Sequence, residues 1–277
     1  MNEYTGITAL VTGASKGLGT AYALELARRG ANLVLVARSA DALEHLATRI
    51  REEHGVRVDV IAADLGDRAG PAHVADVLRE RAIDVDLLLN NAGLGSVGPF
   101  LDRPLEQPVL SVDVNITGLL ALTHRLGQGM RARRSGGIIN VASTAAFQPM
   151  PYQAAYAATK AFVLSFSEAL AEELAGSGIR VMAAHPGPVA TGFFDGTTAT
   201  MDPRTTDSPE VVATETLDDF AKGRHASYPG RSGNRRKTWG ARFLPRRRVA
   251  AITGRITRKA GFDKVSDVAA PATEVTA

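Results

Sequence analysis

Thr12-Gly13-Ala14-Ser15-Lys16-Gly17-Leu18-Gly19 is the stretch whose reading decides the fold. It follows the short apolar run Ile7–Val11 and precedes a helical pattern over about 19–29, with Ala21, Leu24 and Ala27 on one face and Gly30 as its stop. A glycine-rich turn from a buried strand into a helix lets an anion approach main-chain N–H groups. The helix N-terminus adds a favourable dipole. The spacing is G-x-x-x-G-x-G and lacks the Lys-Ser/Thr ending of a P-loop. Alone, such a loop reads equally as an ordinary strand-to-helix turn.

The alternation that continues outward from it favours a nucleotide site. Asn32–Ala37 reads as a strand buried on both sides, Ser39 as the cap of a helix over about 40–53, and 56–62 as a third strand. A helix over about 69–81 follows, then a strand at 85–89 ending in Asn90-Asn91-Ala92-Gly93. Residues 105–133 read as mostly helical, 138–142 as a strand, 156–175 as a long amphipathic helix and 179–184 as a sixth strand ended by Pro186-Gly187. Short strands alternating with helices of ten or more residues predict an α/β fold, a Rossmann-like doubly wound parallel sheet in a single domain. Segment 188–208, rich in Gly, Thr, Pro and Asp, reads as a mobile loop, and 209–223 as a helix opened by Pro209.

Composition sets bounds. The chain has 277 residues, 45% of them hydrophobic, which suffices for a sizeable core. It has no cysteine, which excludes disulfides, thiolate metal sites and cysteine nucleophiles and fits a reducing cytoplasm. No metal site is expected. Met1–Gly6 is short and polar, so no secretory leader is expected, and no apolar run approaches the roughly 18 to 20 residues that span a bilayer. The net charge of +3 hides an asymmetry: residues 222–259 carry thirteen Lys or Arg and no Asp or Glu.

Six positions suggest chemistry. Where an NAD-selective site would place an acid, at the end of the second strand, stands Arg38. Its guanidinium can fork onto a 2′-phosphate, and Lys16 is a second cation in reach, so the pair favours NADP(H) over NAD(H). Tyr156 and Lys160 are spaced i, i+4 on one helix face, and Ser143 ends the fifth strand at the same edge of the sheet. An ammonium beside a phenol lowers its pKa, which would let Tyr156 donate or accept a proton at a carbonyl oxygen held by Ser143. Asn115, in the preceding helix, would hold a water on a proton path to Lys160. Taken singly, a Tyr and a Lys one turn apart are ordinarily a surface pair.

Taken together, these residues are specific. Over about residues 5–195 the chain resembles the short-chain dehydrogenase/reductase family: the loop from Thr12 to Gly19, Asp64 after the third strand, Asn90-Asn91-Ala92-Gly93, Asn115, Ser143, Tyr156-x-x-x-Lys160 and Pro186-Gly187 stand in the family's order. The resemblance implies a catalytic set of Asn115, Ser143, Tyr156 and Lys160. It implies a cofactor site from Gly13, Ser15, Lys16, Gly17, Leu18, Gly19, Arg38, Asp64, Leu65, Asn91, Ala92, Gly93, Tyr156, Lys160, Pro186, Gly187, Val189 and Thr191. In that reading Asp64 bonds the adenine with Leu65 beside it, Asn91 supports the sheet near the adenine ribose, Lys160 bonds the nicotinamide ribose and Thr191 meets the carboxamide. Asp64 also reads simply as a turn former, and Asn-Asn-Ala-Gly as structural. The resemblance further implies a homodimer or homotetramer paired through the long helices.

The implied activity is carbonyl reduction, or the reverse alcohol oxidation, on a small molecule. Loop 188–208 would be the substrate lid. Phe193, Phe194, Phe147, Met150 and Tyr152 read either as an apolar substrate pocket or as core. The catalytic domain would span 1–221, a basic extension 222–264 would pack on or near it, and 265–277 would be a disordered tail. The extension reads as a peripheral membrane contact, a contact to acyl-carrier or CoA phosphates, a cover for a neighbouring subunit, or a solvated basic helix; no nucleic acid is expected. A non-catalytic NADP(H) sensor of the same fold is the alternative. A sugar-nucleotide epimerase is disfavoured by the glycine spacing, and a methyltransferase by Tyr156-x-x-x-Lys160.

Overall fold

A computed structural model describes residues 4–267. Seven parallel strands form one sheet in the order β3-β2-β1-β4-β5-β6-β7: β1 (Thr8–Thr12), β2 (Asn32–Ala37), β3 (Val58–Ala62), β4 (Leu87–Asn90), β5 (Gly136–Val141), β6 (Ile179–Ala184) and β7 (Ala226–Ser227). The strands are continuous apolar runs because both faces are covered. Alternate residues feed two cores: Ala9, Val11, Leu33, Leu35, Leu87 and Leu89 face one side, and Leu10, Val34, Val36, Leu88, Ile138 and Val181 the other.

The first core is closed by α1 (Gly17–Arg28), α2 (Ala40–His54) and α7 (Pro209–Ala221), which contribute Tyr22, Leu26, Leu43, Ile50, Leu217 and Phe220. The second is closed chiefly by α3 (Gly70–Glu80) and α5 (Leu119–Arg133), through Val74, Leu78, Leu122 and Met130. Helix α4 (Glu106–Val112) runs through a π-helical stretch, Asp113–Gly118, into α5. The chain leaves β1 for β2 on one side and returns from β3 to β4 on the other. The C-terminal ends of β1 and β4 therefore flank the crevice where a doubly wound sheet takes its ligand.

The expected elements lie where the pattern placed them, within a few residues at their ends. Ser39 caps α2, accepting from the Ala42 amide at 3.3 Å, and Ser208 caps α7 through the Val211 amide at 3.2 Å. Buried Arg29 pairs with Glu25 at 2.7 Å and with Asp218 at 2.8 Å, tying α1 to α7.

The segment after residue 221 supplies a seventh strand that the sequence pattern did not show: β7 pairs with the outer edge of β6, too short to show a hydrophobic period. Helix α8 (Gly233–Phe243) then packs on the turn 144–147, and α9 (Arg246–Lys259) rests on the loop before the long helix α6 (Ala154–Glu173). There the Thr253 hydroxyl donates to the Pro149 carbonyl at 2.7 Å, and Gly254 lies against Pro151.

Of the tail expected at 265–277, residues 265–267 are fixed. Val265 is buried with Val97 and Phe262, and Asp267 meets Arg103 at 2.5 Å and Gln107 at 2.9 Å. The rest of that tail lies outside the described residues. No helix among the described residues is long and apolar enough to cross a membrane, and no cluster of His, Cys, Asp or Glu among them could hold a metal ion.

Candidate active site

Local backbone chemistry builds the crevice. Gly13 and Gly17 take φ of +66° and +57°, a region that L side chains rarely adopt. A Cβ on Gly19 would lie 2.0 Å from the Gly13 carbonyl oxygen, so the loop folds onto the start of α1 only with glycine there. Helix α1 begins without a side-chain cap and without an acid in its first turn, which leaves its first amides open to an anion. Ser15 and Leu18 are half-buried within the loop. This cradle suits a dinucleotide's pyrophosphate.

Thr12 and the Asn91 side chain lock the loop to β4. The Thr12 hydroxyl accepts from the amides of Asn91 at 3.0 Å and Ala92 at 2.9 Å, and Asn91 Nδ2 donates to the Thr12 carbonyl at 2.9 Å. Asn90 Nδ2 donates to Thr123 Oγ1 and to Asn140 Oδ1, both at 2.9 Å, and Asn140 Nδ2 donates to Ser167 Oγ at 3.0 Å. This buried chain links β4, β5, α5 and α6 through Asn90.

Gly93 joins the cradle to the titratable groups. A Cβ there would lie 3.2 Å from Asn115 Oδ1 and 3.4 Å from Lys160 Nζ, so glycine lets both groups pack closely on the backbone. Asn115 is held on all sides within the π-helical stretch. Its Oδ1 accepts from the Leu94 amide at 2.8 Å, and its Nδ2 donates to the Leu94 carbonyl at 3.0 Å, Ser111 Oγ at 3.2 Å and Thr159 Oγ1 at 2.9 Å. Wide turns of this kind recur at functional sites.

Tyr156, Thr159 and Lys160 all come from α6. Lys160 is buried, donates to the Val141 carbonyl at 2.7 Å, and has its Nζ 6.0 Å from the centre of the Tyr156 ring. Burial pulls the Lys160 ammonium down to about 8. Ser143, the residue after β5 and its neighbour Ala142, hydrogen-bonds Tyr156 and accepts from the Ala145 amide at 3.1 Å. The Phe193 ring stands edge-on to Tyr156, centroids 5.2 Å apart.

One expectation is corrected here. The sequence reading has Lys160 lowering the Tyr156 pKa. In this structure burial of the hydroxyl outweighs the opposing Ser143 hydrogen bond and pushes the phenol up to about 12. The tyrosine therefore carries its proton at neutral pH, as an acid that donates to a carbonyl oxygen must.

The remaining residues are placed more loosely. Arg38 is exposed at the end of β2, with no acidic partner among the described residues. Lys16 reaches away from it, bridging to Asp195 at 3.0 Å and donating to the Gly192 carbonyl at 3.4 Å. Asp64 Oδ1 accepts from the Gly66 amide at 2.9 Å, a turn-forming role, and Leu65 is buried in the second core. The Thr191 side chain lies 3.0 Å from where a Gly17 Cβ would be, across the mouth of the glycine loop. Val189 accepts from the Thr191 amide at 2.8 Å, the Pro186 carbonyl accepts from the Thr144 amide at 3.0 Å, and Gly187 packs on Asn234.

The apolar set divides in two. Phe194 and Tyr152 pack on the cluster of Val97, Phe262 and Val265, and Phe193 links Phe194 to Tyr156. Phe147 instead joins His185 and Tyr228, with centroids 5.0 Å and 6.0 Å away. Met150 accepts from Gln148 at 3.8 Å. Thr159 and the C-terminal wall at Phe262 and Val265 escaped the sequence reading, and Thr12 was read only as the start of the loop. A threonine carries no spacing signal, and the wall depends on contacts between residues far apart in the chain, such as Phe194 and Phe262.

Comparison with known proteins agrees with this geometry. The very-long-chain 3-oxoacyl-CoA reductase of Anas platyrhynchos is 38% identical over 192 residues, 67% of this chain and 61% of that protein, so the chain spans under two thirds of that relative. The oxidoreductase UcpA of Escherichia coli K12 is 37% identical over 216 residues, 78% of this chain and 80% of that one. A short-chain dehydrogenase from Sphingobium yanoikuyae, solved in complex with NADPH, superposes with a TM-score of 0.76 at 35% identity, covering 85% of this chain and 93% of that one. The sequence pattern of the short chain dehydrogenase family matches residues 7–202, and the chain belongs to that family of nicotinamide-dependent oxidoreductases acting on CH–OH and C=O groups.

Proposed function

We propose that this protein is an NADP(H)-dependent reductase of an apolar small-molecule ketone, able also to oxidise the corresponding alcohol. The observation that carries the reading is the Tyr156 hydroxyl hydrogen-bonded to Ser143, with Lys160 buried on the same helix and Gly93 packed against Lys160 and Asn115 beside the glycine cradle. When bound, a nicotinamide cofactor would supply the hydride. The amides at the start of α1 would hold its pyrophosphate, Arg38 would hold a 2′-phosphate, and Thr191, at the loop mouth, would hold the carboxamide. Ser143 fixes the carbonyl oxygen, and Tyr156 protonates it as charge develops.

Lys160 then returns a proton toward Tyr156. Its lowered pKa lets it trade protons near neutral pH. Phe193, Phe194 and Tyr152 give the substrate side an apolar wall, which favours a bulky hydrophobic ketone; the chemistry of the 3-oxoacyl-CoA relative fits this preference. Segment 188–208 acts as lid. Exposed Leu101, Leu105, Val109 and Val112 at the start of the α4–α5 face favour a homo-oligomer paired through it. The absence of cysteine suits a cytoplasmic setting.

The test is NADPH oxidation by the purified protein against a panel of steroid, polycyclic and long-chain 3-oxoacyl ketones. Turnover on at least one apolar ketone is the expected result. NADPH binding without turnover across the panel would favour the sensor reading.

A further inference from the structure

The basic C-terminal helices have no part in the chemistry above, yet their outward surface is built in a consistent way. Helix α8 buries Asn234 and Thr238, and α9 buries Val249 and Thr257. What remains outside is Trp239, 53% exposed, and Phe243, 79% exposed, followed by Leu244, Ile252 and Ile256. Trp239 and Phe243 are one turn apart on α8, as Ile252 and Ile256 are on α9, so each helix carries an apolar ridge. Arg235 and Arg236 flank the first ridge; Arg248, Arg255 and Lys259 flank the second, with Arg246 and Arg247 at the joint. None of these cations has an acidic partner among the described residues.

We propose that this face docks on an anionic lipid surface, the cations resting on headgroup phosphates and the apolar ridges entering the acyl boundary. Charge selects the occupant. A second copy seated on the same face would oppose these seven cations with seven more. A nucleic acid would satisfy the arginines and stack on Trp239 but offers nothing to Leu244, Ile252 and Ile256. A lipid surface supplies anions and an apolar layer across the whole face, which a single acyl-CoA is too small to cover. Helix α9 rests on Pro149 and Pro151, between the Ser143 turn and the helix of Tyr156, so docking sets the substrate side beside the membrane. The docking itself does not depend on the catalytic reading.

Trp239 is the only tryptophan in the chain and reports directly on the face. The experiment mixes the full-length protein with phosphatidylcholine vesicles, with or without phosphatidylglycerol, and follows Trp emission and co-sedimentation. The expected result is a blue shift and sedimentation with the phosphatidylglycerol vesicles only, weakened by salt. Each cation near the surface is worth about fivefold in partitioning, so Arg246→Glu/Arg247→Glu/Arg248→Glu lowers binding by on the order of a hundredfold or more. Phe243→Ser/Ile256→Ser lowers it as well, and both variants keep wild-type NADPH affinity, which shows that they fold.

No binding to phosphatidylglycerol vesicles at low salt would overturn the proposal. So would binding unaffected by either variant, or sedimentation without a Trp shift. Self-association or duplex DNA binding that is lost in the arginine variant, with no vesicle binding, would overturn it in favour of those occupants.

Discussion

Replacing Lys160 by Met should stabilise the cofactor-free protein at neutral pH while destroying its activity. The Lys160 ammonium titrates near 8 because burial disfavours its charge, against 10.5 for a free lysine. At about 1.4 kcal/mol per pH unit, that gap is about 3 kcal/mol by which the charged group disfavours folding. Methionine fills a similar volume without a charge. It also leaves the Val141 carbonyl, now bonded at 2.7 Å, without its donor, a loss of about 1 to 2 kcal/mol. The net gain near pH 7 is about 1 to 2 kcal/mol, or a rise in Tm of about 2 to 8 °C.

The pH dependence carries the sign. Below about 8 both folded and unfolded wild type hold the proton, and the full penalty is present. Between 8 and 10.5 the unfolded chain binds more protons than the folded one, so wild-type stability at this group rises with pH. The advantage of the variant therefore shrinks across that window and reverses near its top, where only the lost hydrogen bond remains. Thermal melts of both cofactor-free proteins from pH 7 to 10 measure it. A variant that melts below wild type at pH 7, or a difference that ignores pH, would refute the reasoning.

Further outcomes follow from single contacts. Gly19→Ala forces a Cβ to 2.0 Å from the Gly13 carbonyl; it should destabilise by about 1 to 3 kcal/mol and weaken NADPH binding at least tenfold by calorimetry. Asn115→Ala strands the Leu94 amide and carbonyl in a site that is 1% exposed, and urea unfolding should show a loss of about 2 to 4 kcal/mol. Arg38→Asp should move the NADPH-to-NADH affinity ratio toward NADH by about tenfold to a hundredfold, read by competitive titration.

How much of this was legible in the sequence follows from which signals are local. The strands announced themselves because each is buried on both faces, as Leu33 to Val36 are. The glycine loop was legible because backbone geometry admits no other residue at Gly19. Tyr156 and Lys160 were paired by helical spacing alone. What stayed hidden depends on contacts distant in the chain: β7 needs β6 beside it, Asp267 needs Arg103, and Lys16 turns to Asp195 of the lid rather than toward Arg38. The direction of the Tyr156 shift was also misread, since spacing reveals the ammonium but not the burial of the hydroxyl.

The central claim is that the Tyr156 hydroxyl delivers the proton. The most direct measurement is single-turnover reduction of an accepted ketone by wild type and by Tyr156→Phe, both saturated with NADPH. The account predicts an unchanged cofactor Kd and a rate lower by about a hundredfold to ten-thousandfold. A phenylalanine variant that turns over at the wild-type rate would contradict it.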